Sequence, residues 1–370
     1  RCGDSGAFGT DYQSDPELSH GSNPIHAEKL KRVYDELVTE SGADFTFGTR
    51  LVGVNTDGPR VTAAICHGKS GLFAIRAQTY IDGTGDGDLA VAAGAAFKKG
   101  DPQWGMQAGT LCSFWSGIDW ERAKDAGMYG VWPRGERKRL PEAIEAGLFS
   151  EPDPGMPGMW PVGARQGGGN IGHLFGVDGT DERSLTDALL KGRQKLKEYE
   201  RYFKEYNVGF EEMELAATGA LLGIRETRRI IGDYVLDLDD YERRADFPDE
   251  IGRYNYTVDI HPGSLEERND ESRKRPQYTP YGRGESYGIP YRILIPKELD
   301  NVLVAGRCVS TDRAVLGSIR VMPGCFITGQ AAGVAAALTA ESRSDTRNIE
   351  VGELQRRLKK LGAFLPNFSD

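Results

Sequence analysis

The segment YIDGTGDGDLAVAAG, residues 80–94, places carboxylates inside a glycine-dense turn. Ile75, Ala77, Thr79 and Ile81 lead into it with strand-like alternation, and an alanine-rich stretch that reads as a helix follows. This is the outline of a dinucleotide-binding loop. Such loops work because backbone N–H groups and the dipole at a helix N-terminus attract phosphate. Asp86 and Asp88 would repel a pyrophosphate there unless a cation intervened. A carboxylate accepts hydrogen bonds from ribose-like hydroxyls, so the turn is better suited to hydroxyls than to phosphate. Simple capping of the helix by Asp86 or Asp88 is an equally good reading. A formal G-x-G-x-x-G occurs at Gly167, Gly169 and Gly172, but no strand signal precedes it and HLFGVDG is not a helix start. It is rejected as a nucleotide loop.

Other residues able to do chemistry lie downstream. In GIRETRR, Arg225 or Arg228 suits an anionic or hydroxylated substrate, while Arg229 is expected to face solvent. In IPYRIL, Tyr291 and Arg292 are expected on a strand, with Tyr291 placed to donate or accept a proton. His173 and His261 are candidate bases, though a lone histidine is more often a hydrogen-bonded structural residue. Trp104, Trp115, Trp120, Trp132 and Trp160 cluster in 101–175, either facing a flat substrate or forming the core of an irregular domain. Cys2, Cys66, Cys112, Cys308 and Cys325 show no metal-binding spacing and read as reduced, buried thiols. No metal site is expected.

The elements that position these residues can be read in outline. Asn23 as N-cap and Pro24 at the first helical position open a helix, with Leu30, Val33, Tyr34, Leu37 and Val38 on one face and Gly42 as its stop. DFTFGTRLVGVNTDG, RVTAAICH and FAIRAQTYIDGTG read as three strands, with turns at Asp57–Gly58 and GKSG. Residues 181–206 read as a long charged helix whose apolar members are Leu185, Leu189, Leu196, Tyr199 and Phe203. EEMELAATGALLG is expected to be a helix ending near Gly223, with a strand after it, and YGIPYRILIP is expected to be extended. Near the C-terminus a fully apolar strand, Val302 to Ala305, precedes Gly306, a polar excursion and a long helix rich in Gly and Ala. A strand apolar on both faces suits a buried parallel sheet.

The chain has 370 residues, 39% of them hydrophobic and 27% charged, which bounds it to one large or two ordinary globular domains. No apolar run approaches the roughly 20 residues that span a bilayer, and no signal peptide opens the sequence, so a soluble, cytoplasmic protein is expected. A net charge of −9 argues against a nucleic-acid partner. The mixed-sign run EERNDESRKR, 266–275, reads as a solvated loop.

YIDGTGDGDLAVAAGAAF and the distant NVLVAGRCVSTDRAVLGSIRVMPGCFITGQAAGVAAAL, with LGIRETRRIIGDYVL and YGIPYRILIPK between them in order, resemble the FAD-dependent oxidoreductases related to the fumarate reductase flavoproteins. The resemblance covers roughly residues 22–340. It implies an α/β fold: a Rossmann-like FAD-binding domain built from residues 1–100 and 291–370, with an α+β substrate or cap domain, 101–290, inserted. It implies that Val52 lies beside the adenine and that Thr84, Gly85 and Asp86 line the phosphate–ribityl region. Gly306 and Arg307 would approach the pyrophosphate, and Ser318, Ile319, Arg320, Val321 and Met322 would present a helix N-terminus to the flavin pyrimidine ring. The opening strand and G-x-G-x-x-G of that family are not found. They are expected in a segment preceding Arg1 or in a second chain; loss of FAD is the third reading. The expected function is hydride transfer between FAD and a small substrate such as a sugar, another hydroxylated compound or an aromatic. The alternative is a non-catalytic or partner-dependent subunit of a two-chain flavoprotein. A homo-oligomer is compatible with either.

Overall fold

The computed structural model describes residues 25–127, 139–153, 157–270, 278–279 and 281–369. The fold is mixed α/β with several sheets, and the chain divides into two compact units.

The first unit takes in residues up to Phe47, Gly109–Val177 and Glu182–Ile224. It opens with helix α1 (Ala27–Ser41), for which His26 occupies the N-cap position. The expected caps Asn23 and Pro24 lie outside the described residues. Gly42, at φ +71°, ends the helix as expected. Of the anticipated apolar face, Leu30 and Val33 are buried, while Tyr34, Leu37 and Val38 are exposed. The unit's sheet holds β6 (Ser113–Ser116), β7 (Pro157–Gly163), β8 (Gln166–Ile171) and β9 (Glu214–Thr218), in the order β7-β8-β6-β9. Helix α5 (Glu182–Tyr206) buries Leu196, Tyr199 and Phe203 in the same core as Trp115, Ile118 and Met213.

The rejected G-x-G-x-x-G is strand β8 itself. Its glycines serve packing. A Cβ on Gly167 would lie 2.6 Å from Ile118 and 2.8 Å from Met159, and one on Gly169 would lie 2.7 Å from Ser113 Oγ. The expected helix over EEMELAATGALLG is instead strand β9 and a turn. Leu and Ala favour helix locally, but Gly219 and Gly223 interrupt the run, and antiparallel pairing of Ser113–Ser116 with Glu214–Thr218 overrides propensity.

The second unit comprises Gly48–Ala108, Asp178–Asp181 and Arg225–Asp370, so residues 225–290 cluster with the C-terminal stretch. β1 (Arg50–Asp57), β2 (Arg60–Gly68) and β3 (Gly71–Ile75) form an antiparallel meander. The expected single strand FAIRAQTYIDGTG is two strands in different sheets. The chain breaks after Ile75, where the Tyr80 hydroxyl bridges Ala77 N and Ile75 O, and then forms β4 (Tyr80–Asp82). β4 pairs in parallel with β13 (Val302–Val304), in register Tyr80–Val302 to Asp82–Val304. β5 (Phe97–Lys99) pairs with β10 (Arg228–Ile230), and β11 (Glu250–Tyr254) with β12 (Tyr287–Pro290). Tyr291 and Arg292 lie in a 3₁₀ turn, Tyr291–Leu294, rather than on the expected strand. The expected long Gly- and Ala-rich helix is α9 (Met322–Ser342), and the polar excursion before it holds a short helix, α8 (Arg313–Ile319), that meets α9 at 91°. At that corner a Cβ on Gly324 would sit 2.2 Å from Ile319 O, so only glycine fits. No single described helix is long and apolar enough to cross a membrane. Cys66 and Cys308 are buried, Cys325 is half-buried and Cys112 is exposed, against the expected burial; Cys2 lies outside the described residues.

Arg229, expected at the surface, is 5% exposed and pairs with the fully buried carboxylate of Glu226. Glu226 also accepts from Arg313 Nε at 3.2 Å and from Gln107 N at 3.1 Å. This carboxylate ties the 107, 229 and 313 segments together. Removing one partner of a buried charge cluster costs about 3–5 kcal/mol, because the remaining charges stay buried. Glu226→Gln should therefore lower unfolding stability by roughly 3 kcal/mol, seen as a reduced urea midpoint at unchanged slope. A change below about 0.5 kcal/mol, the range of ordinary surface substitutions, would contradict this assignment.

Candidate functional site

The C-terminal ends of parallel strands are where ligands bind in open α/β sheets, and β4 and β13 bring two loops together at theirs. Asp82, the last residue of β4, is 1% exposed. Its Oδ1 accepts from Thr84 N (3.1 Å) and Thr84 Oγ1 (2.7 Å), and its Oδ2 from Ala90 N (2.9 Å). Thr84 Oγ1 in turn accepts from Asp86 N (3.3 Å) and Asp88 N (3.1 Å). Gly85 and Gly87 take φ of +78° and +69° to let the turn close. The N–H groups of Thr84, Asp86, Asp88 and Ala90 are thus engaged inside the turn. Asp86 and Asp88 do not cap helix α2 (Asp88–Ala92) either; its N–H groups at Asp88 and Ala90 donate to Thr84 and Asp82.

Asp86 instead reaches across the loops. Its Oδ1 accepts from Thr227 Oγ1 at 2.7 Å and from Arg307 Nη2 at 3.0 Å. Arg307 follows β13 and lies over Gly85, where a Cβ would come within 2.5 Å of Nη2. Its Nε is buried without a partner among the described residues. Gly306, at φ +80°, turns the chain here, and its N–H donates to Thr328 Oγ1 on α9. Asp88 pairs with Arg228 at 2.5 Å. Burial raises the Asp88 carboxyl above its ordinary value, as do the charges of Asp86 and Asp82, against the opposing pull of Arg228.

The α8–α9 corner supplies the second half. Ser318 is fully buried and donates to Tyr256 O at 2.6 Å, with Tyr287 Oη 2.9 Å away. Ile319 is buried in the core. Arg320 Nη2 donates to Asp259 O at 2.8 Å, while its Nε is buried and unpartnered among the described residues. Val321 is the N-cap of α9 and provides no side-chain cap; Met322 starts the helix, with Pro323 next. A 21-residue helix therefore begins with uncapped N–H groups and the positive end of its dipole. Burial pulls the Asp259 carboxyl up, but the hydrogen bond and charge of His261, with Arg320 and Arg225, outweigh it and hold it far below the usual carboxylate range.

Not every expected residue joins this group. Val52 is exposed on β1, in the meander rather than at the β4–β13 end. Tyr291 is buried in the core, its hydroxyl donating to Thr346 O at 2.8 Å, and burial raises its pKa; this does not support the expected proton-transfer role. Arg225 is buried and donates to Ala108 O at 2.6 Å, on the Asp259 side, whereas Arg228 serves Asp88. His173 is buried in the first unit against Asp153 at 2.6 Å. Thr227, Gln107 and Asp259 were not singled out from the sequence; Thr227 and Asp86 are 141 positions apart, a separation no local pattern reveals. Among the described residues no group of His, Cys, Asp or Glu could hold a metal ion.

A family model described as FAD dependent oxidoreductase matches residues 5–358. The chain belongs to that family. Its cofactor is FAD, and the residues present fit it. Two buried, unpartnered guanidinium nitrogens, an uncapped helix start and two positive-φ glycines at paired strand ends form a setting suited to an anionic, oxygen-rich molecule. No curated protein matches the chain. Among solved structures, the p-nitrophenol 4-monooxygenase of Pseudomonas putida is similar at 9% identity, with a TM-score of 0.37, over 92% of this chain and 56% of that one. The chain thus spans little more than half the length of that structure.

Two outcomes test this geometry. Gly85→Ala introduces about 1–3 kcal/mol of backbone strain and displaces Arg307; FAD retention should fall, while a variant that binds FAD as wild type would separate Gly85 from the site. The Asp259 carboxyl is lowered in the folded state, so its contribution to stability is full above the unfolded value of about 4 and is lost as pH falls below it. The stability gap between wild type and Asp259→Asn should narrow on acidification from pH 4 to pH 2 in denaturant titrations. A pH-independent gap would contradict the assigned charge state.

Proposed function

We propose that this chain holds FAD at the β4–β13 strand ends and the start of α9, and transfers a hydride between it and a small organic substrate. The observation that carries the reading is the meeting of Arg307, Gly306 and the Thr84–Asp86 turn at paired parallel strand ends. In this reading FAD supplies the two-electron chemistry. Arg307, steered by Asp86, binds the pyrophosphate region, with Gly85 and Gly306 allowing close approach. Thr84 and Asp86 face the ribityl hydroxyls, and Val52 marks the adenine side. Ser318 to Met322 form the corner that presents the α9 N-terminus, with Arg320 beside it, to the pyrimidine edge, where reduction places negative charge. The Rossmann-like domain is then assembled from both ends of the chain, and the intervening residues, 101–290, serve the substrate. A sugar, another hydroxylated compound or an aromatic fits that role.

One observation favours a partner-dependent form of the same function. Among the described residues β4 and β13 make a two-stranded parallel sheet, whereas parallel strands ordinarily belong to larger, covered sheets. A preceding segment or second chain bearing a strand and G-x-G-x-x-G would extend it. The test is the visible spectrum of purified protein after FAD addition and removal of unbound cofactor. A retained flavin band supports binding by this chain. A band that forms only after a nucleotide-loop fragment is added supports the partner-dependent form. Absence of the band in both preparations contradicts the proposal.

A further inference from the structure

Strand β3 (Gly71–Ile75) is an edge of the antiparallel meander, and among the described residues no strand pairs with its outer side. Its sequence, GLFAI, holds no charge and no proline. Leu72 is 70% exposed, Phe73 37% and Ile75 47%. Sheets ordinarily blunt an exposed edge with charges, proline or bulges, because unpaired backbone is a template for another strand. The opposite edge, β1, has such devices in Arg50, Asp57 and two register irregularities. β3 carries none of them.

The register shows which backbone groups this edge offers. The two-residue turn Lys69–Ser70 joins β2 to β3, with Gly68 opposite Gly71. A turn of that length closes on a hydrogen-bonded pair. Alternation along the ladder then directs the N–H and C=O groups of Leu72 and Ala74 away from β2. Phe73 and Ile75 stand opposite Cys66 and Ala64 on one face, and Leu72 and Ala74 lie on the other. An added strand would meet apolar side chains on both faces.

Charge selects the occupant. Lys69 and Arg76 flank β3, both are exposed, and neither forms an ion pair among the described residues. Residues 50–76 hold four Lys or Arg and one Asp, in a chain whose net charge is −9. A second copy of β3 paired antiparallel about Phe73 would set Arg76 of each copy opposite Ser70 and next to Lys69 of the other. Both ends of the short ladder would then carry like charges, which destabilise a cross-strand pair. A strand with acidic ends meets opposite charges there instead.

We propose that β3 is a docking edge for an extended acidic segment of another protein. Its apolar centre pairs antiparallel with Leu72–Ala74, and carboxylates at its two ends reach Lys69 and Arg76. Main-chain hydrogen bonds supply the attachment and the flanking charges supply the selection. The proposal stands independently of the FAD reading.

The test uses the whole chain and two labelled synthetic peptides, Glu-Thr-Val-Thr-Val-Thr-Glu and the same sequence with Lys at both ends. Fluorescence anisotropy should show saturable binding of the Glu-ended peptide, at least about tenfold tighter than the Lys-ended one at low salt, with the gap narrowing as salt is added. Amide hydrogen exchange at Leu72 and Ala74 should slow when the peptide binds. The double variant Lys69→Glu, Arg76→Glu alters only exposed side chains and should reverse the preference. Ala74→Pro removes one outward N–H and should weaken binding about tenfold, the equivalent of one lost hydrogen bond. Four results would overturn the proposal: no saturable binding of the Glu-ended peptide, equal binding of both peptides, an unchanged preference in the double variant, or binding without protection of Leu72 and Ala74. Protection of those amides that grows with protein concentration in the absence of peptide would also overturn it, by assigning the edge to a second copy of this chain.

Discussion

The parallel pairing of β4 with β13 is the constraint on which the site depends. Three residue pairs join segments more than 200 positions apart and deliver two glycine turns to one place. Asp82 makes that delivery reproducible. Its buried carboxylate accepts three hydrogen bonds and fixes the turn from Thr84 to Ala90 before any ligand arrives. Without Asp82 the turn would keep its glycines but lose the acceptor that organises them. The acidic character that first spoke against a phosphate cradle thus has a structural role as well as a steering one. Asp82 builds the turn, and Asp86 aims Arg307 across it.

Charge is distributed around this frame with a consistent logic. Arg307 and Arg320 each keep one nitrogen buried and unpartnered among the described residues, as Arg228, Arg229 and Arg313 do, and each is held by an acceptor on another segment. The α9 N-terminus adds a dipole end that no side chain caps. Buried cations of this kind are costly unless anions repay them. Glu226 does so for Arg229 and Arg313, entirely within the protein. Arg307 and Arg320 face Asp86 and Asp259 in turn, and what sets Arg307 apart is its place at the paired strand ends.

Much of this was legible in the residues themselves. The apolar run at 302–305 announced a buried parallel strand, and the glycine density after Ile81 announced a tight turn. The long helix over 182–206 followed from its apolar spacing and closely matches the expected 181–206. Other features were hidden because tertiary pairing decided them. Residues 214–218 carry helix-forming side chains yet pair with β6. Arg229 sits in a string of charges that suggests solvent, but Glu226, three residues earlier, draws it into the interior. Tyr291 has the chemistry of a proton donor, and only its bond to Thr346 shows that the hydroxyl serves the core. The contacts that define the site, Asp86 with Thr227 and Arg320 with Asp259, join residues between 61 and 141 positions apart, beyond the reach of periodicity or spacing.

The most direct measurement is the FAD dissociation constant of wild type and Arg307→Ala, obtained by quenching of flavin fluorescence under the same salt conditions. Arg307 links the β13 loop to the acidic turn through Asp86, so the account predicts a loss of affinity of at least about tenfold, the equivalent of 1.4 kcal/mol, with the fold retained by circular dichroism. Equal affinity in the two proteins would contradict placement of the cofactor at the β4–β13 strand ends.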